Sequence, residues 1–109
     1  MSPASVNPSI PTDYLETGAW LAGFVRSHAK CEDVRIEVLL DMAGSREGSS
    51  YAVRLTLGTR VSPGLGSPPI ELDFHEVAEG RTRFAWCAAL GERVQAAARD
   101  LHGAARSTG

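Results

Sequence analysis

Residues 34–42 read VRIEVLLDM, and this stretch decides the fold. Apolar side chains occupy every second position from Val34 to Met42, and three of the four positions between them are charged. An alternation of period two is typical of a β-strand with one face buried and the other in solvent. We therefore predict a half-buried strand over 34–42.

Two further stretches downstream repeat this alternation. Residues 51–57 alternate apolar with small or polar side chains, and only the polar turn region 43–50 separates them from the first strand. Such a short connection predicts that the two strands pair antiparallel. Residues 58–69 are rich in glycine, proline and serine, which predicts a loop, and 70–75 alternate again over a shorter length. We predict a third strand there.

The end of this third strand allows a competing interpretation. Asp73 with Glu76 three residues later matches a helix N-terminal cap, which would begin a helix at Phe74. Gly80 would then end a short helix. The sequence leaves open whether 74–80 is the end of a strand or a short helix.

Two other segments have the apolar spacing of helices. The first, over about 13–28, has Thr12 or Asp13 as its cap, and a strand over 19–25 is the competing interpretation of this segment. The second, 82–102, is followed by Gly103 as a natural stop. The first apolar stripe contains Leu15, Ala19, Ala22 and Val25. The second contains Phe84, Cys87, Leu90, Val94, Ala97 and Leu101.

These elements predict one α+β domain in two layers, with the order α-β-β-β-α. A three-stranded antiparallel sheet needs one face covered, and two amphipathic helices are available to pack side by side on that face. We assign the domain to 12–102, with flexible tails at 1–11 and 103–109. The 109 residues are enough for one such domain.

Composition excludes several classes of protein. Eleven basic and thirteen acidic residues give a net charge of −2, without the basic excess of a nucleic-acid wrapper. No apolar run approaches the ~18 residues of a membrane-spanning helix, and the N-terminus lacks the pattern of a secretory signal. We expect a cytoplasmic protein with reduced cysteines. The dominance of arginine over lysine favours a bacterial source.

The sequence predicts no catalytic residues, no metal site and no cofactor. His75-Glu76-x-x-Glu79 has one histidine where a zinc-protease helix needs two. His28-x-x-Cys31 is a single pair, whereas structural zinc sites usually show two close pairs.

The outer face of the predicted sheet and the long loop carry the candidate contact residues. We expect Arg54 on the central strand to pair with acids of both neighbouring strands. The candidate ligand or partner face comprises Arg35, Glu37, Leu39, Arg54, Asp73 and His75. The candidate contacts in the loop are Arg60 and Leu65.

These features favour a small non-enzymatic interaction or regulatory module that binds a partner protein or a second copy of itself. An open sheet edge offers a surface for strand pairing, and 34–42 is the better candidate edge. The alternative is a small-ligand binder or an enzyme that uses Asp73, His75 and Glu76 beside Arg54, because a carboxylate–imidazole pair can perform acid–base chemistry.

The α-β-β-β-α order over 12–102 resembles that of double-stranded-RNA-binding domains. The resemblance implies weak nucleic-acid binding through Arg81, Arg83 and Arg93. That family has a basic cluster at the start of its last helix, where this chain reads RTRFA without lysine after an acidic segment. Because phosphate contacts dominate such affinity, the charges favour a protein partner over a nucleic acid.

Overall fold

The computed structural model describes residues 12–107, and the predicted tail at 1–11 lies outside them. The described chain forms a single sheet covered on one face by helices, which confirms the predicted two-layer α+β class. Its helices and strands are α1 (Thr12–Glu32), β1 (Glu37–Asp41), β2 (Ser50–Leu57), β3 (Arg60–Ser62), β4 (Ile70–Asp73), α2 (Phe74–Gly80) and α3 (Phe84–Ser107), with one 3-10 turn at Gly44–Arg46.

The sheet has three strand positions, as predicted, but the third position is divided between two strands. The central strand β2 pairs antiparallel with β1 on one side and with both β3 and β4 on the other. Leu55 pairs with Ser62 and Val53 pairs with Ile70, so residues 63–69 leave the sheet opposite Arg54 alone. We call 63–69 the excursion.

The short strand β3 falls within the segment predicted as a loop, and that part of the prediction is wrong. Gly58 has φ of 64°, the left-handed conformation that a two-residue hairpin of type I′ or II′ requires at its first position. The chain therefore reverses at Gly58 and Thr59, and Arg60 pairs back with Leu57. Three residues of strand were too few to show an alternation.

Helix α1 buries a face that is rotated by about one residue from the predicted stripe. Leu15 and Ala19 are exposed, whereas Tyr14 is buried with its ring stacked on Tyr51 at 4.7 Å between centroids. Burial of the larger aromatic ring decides the orientation of the helix. The buried residues are Tyr14, Thr17, Gly18, Leu21, Val25 and Ala29.

Helix α3 packs beside α1 and continues past its predicted end. Gly103 does not stop it, because one internal glycine costs only about 1 kcal/mol of helix stability and the helix runs on to Ser107. Phe84, predicted to lie in the core, is 88% exposed. Between Phe84 and Gly103, the buried residues of α3 are Leu90, Gly91, Val94, Ala98 and Leu101.

The competing interpretation of 74–80 is confirmed. The Asp73 carboxylate accepts a hydrogen bond from the backbone N–H of His75 at 3.0 Å, which caps α2 and ends β4 two residues before the predicted 75. Within residues 12–107, no helix is both long enough and apolar enough to cross a membrane.

Candidate interaction site

The sheet face opposite the helices, which we call the open face, holds a shallow cavity of about 320 Å³. Three predicted contact residues, Leu39, Arg54 and Leu65, come together around it. Its full lining is Leu39, Asp41, Arg46, Ala52, Arg54, Leu65 and Pro69. Apolar and charged side chains line this cavity together, a combination that suits an amphipathic ligand or peptide.

Asp41 and Arg46 of this lining belong, with Glu71, to a cluster that we call the Arg46 bridge. Asp41 and Glu71 flank Ala52 in register on the two neighbouring strands. The Arg46 guanidinium lies 3.4 Å from Asp41 and donates two hydrogen bonds to Glu71, at 2.9 and 3.0 Å. These bonds lower the pKa of Glu71 below its usual value.

Arg54 has a different role from the one predicted. Its guanidinium donates to the backbone carbonyls of Pro63 (2.8 Å), Gly64 (2.7 Å) and Ser67 (3.0 Å), and not to carboxylates of neighbouring strands. Because the excursion leaves the sheet opposite Arg54, the backbone carbonyls of the excursion do not pair with β2. A guanidinium offers five N–H donors and can satisfy several carbonyls at once.

Among the described residues, no strand pairs with the outer edge of β1, and the register shows which main-chain groups face this edge. Phe74 N–H donates to the Ser49 carbonyl, so the odd-numbered residues of β2 direct their main chain toward β4. Main-chain directions alternate along an antiparallel strand. Leu39 lies opposite Arg54, an even-numbered residue of β2 whose main chain points toward β1. The main chain of Leu39 therefore bonds to β2, and the N–H and C=O groups of Val38 and Leu40 face away from β2.

Strand β1 pairs with no second strand among residues 12–107. Its outward main-chain groups and the open-face side chain of Leu39, 48% exposed, therefore occupy one continuous surface. We call the outward side of Glu37–Asp41 the free edge.

Arg35 lies in the turn before β1, and not on the sheet as predicted. Its backbone N–H and side chain both bind the Asp33 carboxylate, and Ile36 N–H donates to the Asp33 carbonyl. These bonds hold 33–36 as a turn and delay the strand to Glu37. Hydrogen bonds from Arg35 also lower the pKa of Asp33 well below its usual range.

Two other predicted contact residues lie in strands. Glu37 is exposed on the open face, and its carboxylate is 4.0 Å from the Lys30 ammonium. Arg60 lies in β3 opposite Leu57 and is half-buried.

The structure gives both carboxylates of the Asp73, His75 and Glu76 group a role in local packing. Asp73 caps α2, and Glu76 accepts a hydrogen bond from the Trp86 indole at 3.2 Å. The His75 ring is exposed and lies 5.2 Å from that of Phe74. No hydrogen bond or ion pair among residues 12–107 joins these three side chains to Arg54.

Two of the three arginines named for nucleic-acid binding lie beside carboxylates. Arg83 lines a cavity together with Glu76 and Glu79. Arg93 lines a different one beside Asp100, and Arg81 lines neither. The carboxylates beside Arg83 and Arg93 oppose the approach of phosphate.

Sequence reasoning did not select Arg46, Glu71 or Ala52 as site residues. Arg46 belongs to the turn between β1 and β2, and it meets Glu71 only because β4 pairs beside β2. The outward position of Glu71 was readable from the strand pattern. Its partner was not, because the register of β4 was unknown.

Comparison of the chain with protein-family models, with curated proteins and with solved structures gave no significant match. The geometry of the open face and the free edge is therefore the basis for a functional assignment.

Proposed function

We propose that the chain is a non-catalytic interaction module that binds an extended segment of another protein along the free edge. This proposal depends on one observation: the main-chain groups of Val38 and Leu40 point outward from a strand that has one partner strand among residues 12–107. Unpaired N–H and C=O groups of an edge strand are a template for a further strand.

The surroundings of the free edge support this mode of binding. Val38 and Leu40 are half-buried against the helical layer, while Leu39 is exposed on the open face. An added strand would thus gain main-chain hydrogen bonds from the edge and apolar contacts on both of its faces.

As an accessory or regulatory protein of this kind, the module acts in the bacterial cytoplasm.

Amide hydrogen exchange tests the edge directly. In the free protein, the Val38 and Leu40 amides exchange rapidly, and the Leu39 amide is protected by its bond to β2. Binding of a partner strand protects Val38 and Leu40. A bound partner that leaves both amides unprotected would contradict strand addition.

A partner protein can be captured on the tagged chain from nuclease-treated lysate of the source organism. Variants of the chain then test which surface binds this partner. Val38→Pro removes the outward N–H, and Leu39→Ser removes the exposed apolar contact; both should release the partner. Leu15→Ser is the matched control, since Leu15 on α1 is 53% exposed against 48% for Leu39. Circular dichroism verifies folding, and Leu39→Ser remains decisive if the proline variant unfolds. Equal capture by Leu39→Ser and wild type would contradict the proposal.

A further inference from the structure

On the basis of this proposed function, we propose that the partner segment is a β-strand of a different protein. A five-residue stretch of that strand has a basic residue at each end and three apolar residues between them. Its recognition pattern is basic–apolar–apolar–apolar–basic, set by the side chains of the free edge.

The open-face side chains of the free edge alternate acid, apolar, acid. Glu37 and Asp41 have side chains that are 72% and 57% exposed, and Leu39 lies between them. The main-chain groups of these three residues point toward β2. In an added antiparallel strand they therefore form the non-hydrogen-bonded pairs, in which Cα atoms are about 4.5 Å apart and side chains are closest.

The cations already near the free edge leave an excess of negative charge. Lys30 is 4.0 Å from Glu37, and its ammonium donates a 2.7 Å hydrogen bond to the Val34 carbonyl. Arg46 is shared between Asp41 at 3.4 Å and Glu71 at 2.9 Å. Arg54 lies opposite Leu39, but its guanidinium donates to the carbonyls of the excursion on the far side of β2. Beside the free edge, three carboxylates thus face two cations, and opposite charges across a strand pair stabilise it.

The three central positions of the partner are apolar for two reasons. The middle residue lies opposite Leu39 on the open face. Its two neighbours lie opposite Val38 and Leu40, whose side chains pack against the core and are half-buried. A polar side chain there would be desolvated without a hydrogen-bonding partner.

The same charges disfavour a second copy of this chain as the partner. Two β1 strands aligned antiparallel about Leu39 place Glu37 of each copy opposite Asp41 of the other. Like charges directly opposite each other destabilise a strand pair. A basic partner removes this repulsion at both ends.

Three short peptides test the pattern by titration into isotope-labelled protein, with amide exchange at Val38 and Leu40 as the readout. Their central sequences are KVLVK, QVLVQ and EVLVE, each acetylated, amidated and flanked by Gly-Ser. Each reads the same in both directions, so strand polarity does not alter the comparison. We expect KVLVK to bind about two- to thirtyfold more tightly than QVLVQ, and EVLVE to bind most weakly.

The double variant Glu37→Gln with Asp41→Asn is the matched control. The side-chain amide oxygen introduced by Asp41→Asn retains an acceptor for the Ala43 N–H, which Asp41 binds at 3.0 Å. The preference for KVLVK should disappear in this variant, and in wild type it should shrink at high salt.

The outcomes separate the two proposals. Equal protection of Val38 and Leu40 by all three peptides, or a KVLVK preference that persists in the double variant, overturns the charge pattern and leaves strand addition standing. Absence of protection by every peptide at millimolar concentration overturns both. The protein without peptide is also followed as its concentration rises. If it forms a dimer in which the Val38 and Leu40 amides become protected, the partner is a second copy of this chain and the choice of a different protein is overturned.

Discussion

Two tyrosines join the first helix to the sheet. The Tyr14 hydroxyl lies 2.7 Å from the Ser50 carbonyl and 3.1 Å from that of Arg46, and Tyr51 donates to the Tyr14 carbonyl at 2.7 Å. Burial raises the pKa of both hydroxyls, so each remains a protonated donor at neutral pH. The pair fixes where α1 meets the turn between β1 and β2.

Tyr14→Phe keeps the stacked ring and removes only the hydroxyl. The Ser50 carbonyl then loses its donor in a partly buried position. We expect the free energy of unfolding to fall by about 1–2 kcal/mol, measured by urea denaturation. A fall of less than about 0.5 kcal/mol, the range of ordinary surface substitutions, would show that water replaces the bond.

The tyrosine pair also explains why the buried face of α1 was predicted one residue away. Leu15 continues an apolar spacing with Ala19 and Ala22, and the sequence offers no reason to exclude it. Tyr14 becomes the buried residue because Tyr51, which is 37 positions along the chain, supplies its stacking partner and accepting carbonyls lie nearby. Such a preference depends on tertiary contacts.

At the scale of elements, the two glycines within α1 have opposite roles. A Cβ atom at Gly18 would lie 2.8 Å from the Met42 methyl and 3.0 Å from the Tyr51 ring, so the helix approaches the sheet closely there. A Cβ at Gly23 would meet no atom within 4 Å. Only the first glycine is required by packing.

Alanine substitutions at both positions separate helix propensity from packing. Gly23→Ala should raise the free energy of unfolding by about 0.5–1 kcal/mol, because alanine loses less backbone entropy. Gly18→Ala gains the same propensity but crowds a ring held by its hydrogen bond, so a net loss of about 1 kcal/mol is expected. Urea denaturation of both variants provides the measurement, and a stabilised Gly18→Ala would contradict the close packing.

Elements with long patterns were predicted well, and the shortest strand was missed. Both long helices, β1 and β2 correspond to predicted segments, because their apolar spacing extends over several turns or pairs. Strand β3 was missed, since its three residues acquire strand geometry only by pairing with β2. The first strand was predicted to begin at Val34, but residues 34–36 precede it. Hydrogen bonds to Asp33 hold these residues in a turn and so compete with strand pairing.

Across the whole molecule, ion pairs link stability to pH. Hydrogen bonds from Arg46 lower the pKa of Glu71 from its ordinary value of 4.5, and those from Arg35 lower that of Asp33 from 3.8. Both carboxyls therefore bind protons less readily in the folded state than in the unfolded state. Their stabilisation is complete above those ordinary values and is lost as pH falls toward the folded-state pKa.

Glu71→Gln should make the protein less sensitive to acid. The free energy of unfolding of wild type decreases over the acidic interval below about pH 5, as the Glu71 carboxylate takes up a proton. The variant should show a smaller decrease over that interval, measured by urea denaturation at each pH. Glu92→Gln on the exposed side of α3 is the control and should follow wild type. Equal slopes for all three proteins would exclude a role for the bridge.

The candidate site was predictable in part. Leu39, Arg54 and Leu65 were selected from the sequence, because strand alternation assigns the first two to the outer face and loop composition exposes the third. The role of Arg54 was not predictable, because its carbonyl partners belong to an excursion whose position depends on the register. Arg46 joins the site for the same reason.

The excursion has a consequence for how this fold can change. Seven residues, 63–69, stand opposite one residue of β2, while the pairs on either side hold β3 and β4 in register independently. We therefore expect that segments of other lengths can replace 63–69 between Ser62 and Ile70 without displacing the ladder. The excursion is then a position for loop grafting, where a new binding segment can be displayed on an unchanged sheet.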